Sequence, residues 1–135
     1  MKTQGEIEAA VSKGVTIFMQ EFMGRGPKDI CTHLIGDLLL VRLKGVLSPA
    51  EQHLVDIVPA DKGRDLLKGV RTKLVEISRP RLEKMVEESC GMRCISLHHD
   101  VSTVTGEEFL LFTLAQIPEM RTAKNKWGVR HERPA

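Results

Sequence analysis

The residues of this chain best suited to chemistry are cationic side chains beside glycines. In the run Gly24-Arg25-Gly26-Pro27 the glycines let a backbone approach a ligand closely, and Arg25 can grip a carboxylate, carbonate or phosphate with two parallel hydrogen bonds. Arg64, Lys68 and Arg71 fall at i, i+4 and i+7, which makes one cationic stripe if that stretch is helical. Packed together, loop and stripe would form a pocket for a small anion, with Gly24, Arg25, Gly26, Arg64, Lys68 and Arg71 around it. The alternative is a helix stop beside a solvated helix face. The loop does not follow the GxxxxGK[ST] spacing of a phosphate-cradling P-loop.

Cys90, Cys94, His98 and His99 have the residue types of a metal set. Their expected placement argues against one. Cys90 ends a helical pattern, and Cys94 and His98 lie four residues apart on one strand, so ~13 Å separates their α-carbons. No metal and no cofactor is expected. His98 and Asp100 also suit proton transfer, but no GxSxG or HExxH motif and no Cys–His pairing accompanies them. Polar side chains reaching water at a strand end explain them as well, and the reading leans away from an enzyme. Asp37, His33 and Asp100 would cluster only if their strands are neighbours.

At 135 residues the chain has the length of one domain, with 41% hydrophobic and 28% charged residues, within the globular range. Net charge is +2, and five basic residues against two acidic ones in 118–135 (Arg121, Lys124, Lys126, Arg130, Arg133; Glu119, Glu132) leave the body about neutral. With a neutral body, no Tyr and one Trp, nucleic-acid binding is not expected. Three cysteines (Cys31, Cys90 and Cys94) fit a reducing compartment, and the N-terminus lacks an apolar signal core. The most apolar run, 38–43, contains Arg42 and falls far short of the ~20 residues of a membrane span. A cytoplasmic location is expected.

The elements that must position these residues follow from periodicity. Ile7, Val11, Val15, Phe18 and Phe22 mark a first helix that stops near Gly24. Runs 30–35 and 38–44 flank Gly36-Asp37, a hairpin signal. Ser48-Pro49-Ala50-Glu51 reads as a capping box opening a short helix at 49–56. A longer helix from 61 to 89 would bury Leu67, Val70, Leu74, Ile77, Leu82 and Met85, with Pro80 kinking or dividing it and Gly91 ending it. Strands at 93–100 and 108–116 close the chain. The last is apolar on both faces: Phe109 and Leu111 on one, Leu110, Phe112 and Leu114 on the other.

The whole predicts a two-layer α+β domain over residues 1–117, order α-β-β-α-α-β-β, with a four-stranded, largely antiparallel sheet covered on one face by helices. The uncovered face predicts a homodimer. Residues 118–135 read as a basic, mobile tail, whose Trp127 and cations also suit peripheral contact with a membrane surface.

Several strings occur in order: Gly24-Arg25-Gly26-Pro27; 43–51, Leu-Lys-Gly-Val-Leu-Ser-Pro-Ala-Glu; Gly63-Arg64 with Arg71; and 95–107 from Ile95-Ser96-Leu97-His98-His99-Asp100 to Thr105-Gly106-Glu107. Over about residues 3–117 the chain resembles the MpsC-like family of small bacterial proteins, a domain of unknown function. Cys90, Cys94 and the tail depart from the family pattern. The resemblance implies an accessory, regulatory role beside a sodium-translocating, membrane-potential-generating system whose membrane partners resemble inorganic-carbon uptake machinery. It supplies no catalytic residue. The rival reading is a small-anion binding protein or enzyme built on the Gly-Arg-Gly-Pro loop and the helix arginines.

Overall fold

The first helix begins with a capping box. In the computed structural model, which describes residues 1–122 (Ala60 by its backbone only), Thr3 Oγ1 accepts from the Glu6 amide at 3.2 Å and the Glu6 carboxylate accepts from the Thr3 amide at 2.9 Å. Helix α1, Gln4–Phe22, buries Ile7, Val11, Val15, Phe18 and Met19. Phe22, expected inside, is partly exposed and stacks on Phe18 with ring centroids 4.9 Å apart.

Strands β1, Asp29–Ile35, and β2, Leu38–Lys44, pair antiparallel with Ile35 opposite Leu38, so Gly36-Asp37 is the whole turn. Gly36 adopts φ 61°, a left-handed conformation that side chains with a Cβ disfavour. Ser48 opens α2, Pro49–Ile57, with a second capping box through Glu51. Helix α3 spans Ala60–Ile77 and α4 spans Arg79–Cys90. The expected long helix is thus divided at Ser78, where Pro80 lacks the amide needed to continue it. Gly91, at φ 77°, ends α4. Strands β3, Cys94–Val101, and β4, Glu108–Leu114, complete the chain order.

The sheet order is β1-β2-β4-β3, antiparallel throughout. The two hairpins dock through β2 and β4, whose register sets Val41 against Leu110 and Leu39 against Phe112. These side chains, with Leu34, Leu43 and Leu114, form the core beneath α1, α3 and α4. The edge of β1 is tied down where the Leu34 amide donates to the Glu8 carboxylate at 2.7 Å.

Helix α3 is turned differently from the sequence expectation. Leu67, Arg71, Val75 and Ser78 face inward, while Val70 and Ile77 are 50% and 67% exposed. The helix carries apolar residues on two sides, and the carboxylates that receive Arg71 decide which side goes in. Beyond the expected boundary at 117, Pro118 is buried, Met120 packs on the core, and the Arg121 amide donates to the Lys2 carbonyl at 2.8 Å. The remainder of the expected tail, 123–135, lies outside the described residues.

Candidate functional site

The densest cluster of charge is buried where α2, α3, β3 and β4 meet. Glu108 opens β4 on the helix-facing side, in line with Leu110, Phe112 and Leu114, and its side chain is fully buried. Arg71, 3% exposed, donates to it from two nitrogens, Nε at 2.9 Å and a terminal nitrogen at 3.0 Å. The other terminal nitrogen donates to Glu51 at 2.7 Å, while the second Glu51 oxygen accepts the Ser48 amide at 2.9 Å. One carboxylate thus caps its own helix and pairs with the arginine. His99, with its side chain 5% exposed, places Nε2 2.7 Å from Glu108.

The electrostatics are self-consistent. Burial pushes the Glu108 carboxyl up, but hydrogen bonds from His99 and Arg71 outweigh it and hold the group below its ordinary range. Burial alone would lower Arg71; Glu108 and then Glu51 more than offset it. With Glu108 ionised, His99 Nε2 must carry the proton it donates. The other ring nitrogen, Nδ1, is buried and has no hydrogen-bond partner among the described residues. A carboxylate orienting an imidazole is the arrangement that prepares a base in hydrolases, yet here Nδ1 is sealed from solvent. His99 also lines a cavity of about 230 Å³ together with Thr72, Glu76 and Arg79. As it stands, the cluster clamps the α2–α3 pair to the sheet.

Arg71 is therefore not part of an anion stripe. Its guanidinium is 3% exposed and already donates to two carboxylates, Glu108 and Glu51. Arg64 and Lys68 line a depression of about 360 Å³ with Asp100, Ser102 and Glu107. Lys68 is bridged to Asp100 at 3.0 Å, and this hydrogen bond, with one from the Val101 amide, lowers the Asp100 pKa. Arg25 lines a different depression, about 310 Å³, with Lys28, Gly45, Ser48, Gln52 and Thr105, and donates to the Leu47 carbonyl at 3.3 Å. The loop of Gly24, Arg25 and Gly26 is thus not joined to the helix cations, because the turn at 102–107 stands between the two depressions.

Asp37 sits in the β1–β2 turn, and its carbonyl receives the Leu114 amide at 2.8 Å. His33 and Asp100 are on opposite edge strands, three strand spacings or ~14 Å apart, so the three do not cluster. His98 is exposed on β3, on the face away from the helices. Cys90 and Cys94 are buried, and burial pushes both thiols up. Cys31 is exposed with its Sγ 3.2 Å from His33 Nε2. Among the described residues no three His, Cys, Asp or Glu side chains converge as metal ligands.

The Glu51–Arg71–Glu108–His99 cluster was missed in the sequence. One signal could have found it: Glu108 shares the parity of Leu110, Phe112 and Leu114 and so must enter the core with a partner.

Residues 3–116 match the family model described as Na+-translocating membrane potential-generating system (MpsC). The chain is 32% identical over 123 residues to the uncharacterized protein YbcI of Bacillus subtilis (strain 168), covering 91% of this chain and 97% of that one. No solved structure matches. The chain belongs to the MpsC family.

Proposed function

We propose that the protein is a non-enzymatic accessory component of a membrane ion or inorganic-carbon transport system, acting from the cytoplasm through contact with a membrane protein. The observation that supports this reading is the family match, whose description names a Na+-translocating membrane potential-generating system. No helix among the described residues is long and apolar enough to cross a membrane, so the reading gives the protein a docking role. The outer side of α3 supplies a surface for it. Lys62, Leu66, Val70, Lys73 and Ile77 line one side at helical spacing, and all five are exposed. An apolar stripe broken by lysines is complementary to an acidic, apolar partner surface.

Affinity capture of the tagged protein after gentle membrane extraction should recover an integral membrane transport protein. Leu66→Asp combined with Ile77→Asp should abolish that recovery while leaving the fold intact. Absence of any membrane partner from the wild-type capture would refute the reading, and unchanged recovery with the double variant would refute the surface.

A second reading is favoured by the placement of Arg25 and Lys28 in one depression with Ser48 and Thr105. These side chains suit a small oxyanion such as phosphate or bicarbonate. A ligand at a hundred times its dissociation constant adds ~2.7 kcal/mol, or roughly 10 °C in melting temperature for a domain this size. The reading requires that shift with one of the two anions and its loss in Arg25→Ala.

A further inference from the structure

The sheet face opposite the helices is open, and its residues fall into rows fixed by the strand register. One row, from β1 to β3, reads Cys31, Arg42, Phe109, Asp100; the next reads His33, Leu40, Leu111, His98; the third reads Ile35, Leu38, Thr113, Ser96. Leu38, Leu40, Phe109 and Leu111, in the two central strands, are only half-buried. No described segment of this chain crosses Leu38, Leu40 and Leu111, while Lys68 of α3 reaches Asp100 at the β3 edge and lines, with Arg64, a depression bordered by Phe109.

We infer that this face is where two copies of the chain meet, about a two-fold axis parallel to the strands and midway between β2 and β4. Such an axis lays each row over itself reversed. The middle row reads the same in both directions, so Leu40 of one copy covers Leu111 of the second and His33 meets His98. In the row above, Arg42 comes over Phe109 of the second copy; it already lies 5.9 Å over its own Phe109 ring. In the row below, Leu38 covers Thr113. An axis across the strands would instead set Leu38 against Arg42 of the second copy and bury a guanidinium against an aliphatic chain. The arrangement along the strands therefore fits the residues, and it is the aligned packing that sheets adopt in sandwiches.

The size of the face sets the strength of the contact. Four strands ~4.8 Å apart and seven residues of ~3.3 Å give a face of roughly 19 by 23 Å. With side-chain relief this buries on the order of 600 Å² per copy, below the ~800 Å² of a standard interface. The dimer should therefore dissociate on dilution. The inference stands on register and residue type, independently of the transport partner.

Light scattering across a hundredfold concentration range tests it. The wild-type protein should pass from the 15.1 kDa chain mass toward twice that mass as concentration rises. Leu40→Lys and Leu111→Glu, each checked for an intact fold by circular dichroism, should each shift the midpoint at least tenfold upward. Mixing these two variants should return the midpoint toward the wild-type value, below that of either variant alone, because the axis puts position 40 of one copy over position 111 of the other. A wild-type protein that stays at the chain mass throughout overturns the inference. So do variants that dimerise like the wild type, and a mixture of folded variants that fails to associate overturns the axis.

Discussion

Replacing Arg71 by methionine removes a charge with 3% exposure and leaves Glu108, fully buried, with His99 as its one remaining partner among the described residues. Methionine fills much of the arginine stem's volume, so the cost is dominated by the stranded carboxylate. Breaking a buried pair in this way costs ~3–5 kcal/mol. Unfolding entropy of ~2.1 cal/mol/K per residue over 135 residues gives ~0.28 kcal/mol per degree, so the melting temperature should fall by roughly 11–18 °C. A second variant separates the charge from the packing. Arg71→Met with Glu108→Leu strands no carboxylate in the core and should recover part of the loss, the remainder being the His99 Nε2–H left without its acceptor. Thermal denaturation followed by circular dichroism measures both. A loss below ~1 kcal/mol in the single variant, or a double variant as unstable as the sum of the two singles, would refute the assignment of this cluster as a coupled buried pair.

Three further outcomes follow from the same geometry. The folded-state pKa of Glu108 is depressed, so its contribution is present above the unfolded value and is lost as pH falls through the folded one. The stability gap between wild type and Glu108→Gln, measured by urea denaturation, should be largest near neutrality and narrow below about pH 4; a gap constant to pH 3 contradicts this. A Cβ at Gly63 would lie 2.5 Å from the Leu54 carbonyl oxygen, a backbone atom, so Gly63→Ala should push α2 off α3 and cost ~1–3 kcal/mol in a thermal melt. Ser48→Ala removes the oxygen that accepts the Glu51 amide at 3.2 Å and should cost ~1 kcal/mol; no change in melting temperature would mean the cap contributes nothing here.

Much of the architecture was legible because local signals agreed with it. Gly36-Asp37, the Ser48–Glu51 box, Pro80 and Gly91 each fall where the chain turns, caps, divides or stops. The open sheet face was legible in the two apolar parities of β4. What misled was α3. Its sequence has apolar residues on two sides, and periodicity alone favoured Val70 and Ile77 over Arg71 for the core. The choice was made by Glu51 and Glu108, 20 and 37 residues away in sequence, and such pairing leaves no trace in the sequence of α3 itself. The same long-range pairing dissolved the expected anion stripe, since a cation that reads as free in sequence is neutralised in the fold.

Helix α2 buries none of its side chains completely. Its attachment rests on Glu51 reaching Arg71, on the close approach at Gly63, and on half-buried Leu54 and Val55. Time therefore divides this molecule unevenly. If lifting α2 away costs ~2–3 kcal/mol, about one molecule in 30 to 150 has it detached at any instant while the sheet and α1 remain closed. Its amide protons should exchange with solvent long before those of β2 and β4. In that brief open state Arg71 loses one of its two carboxylates, and the inner side of α3 becomes reachable from solution.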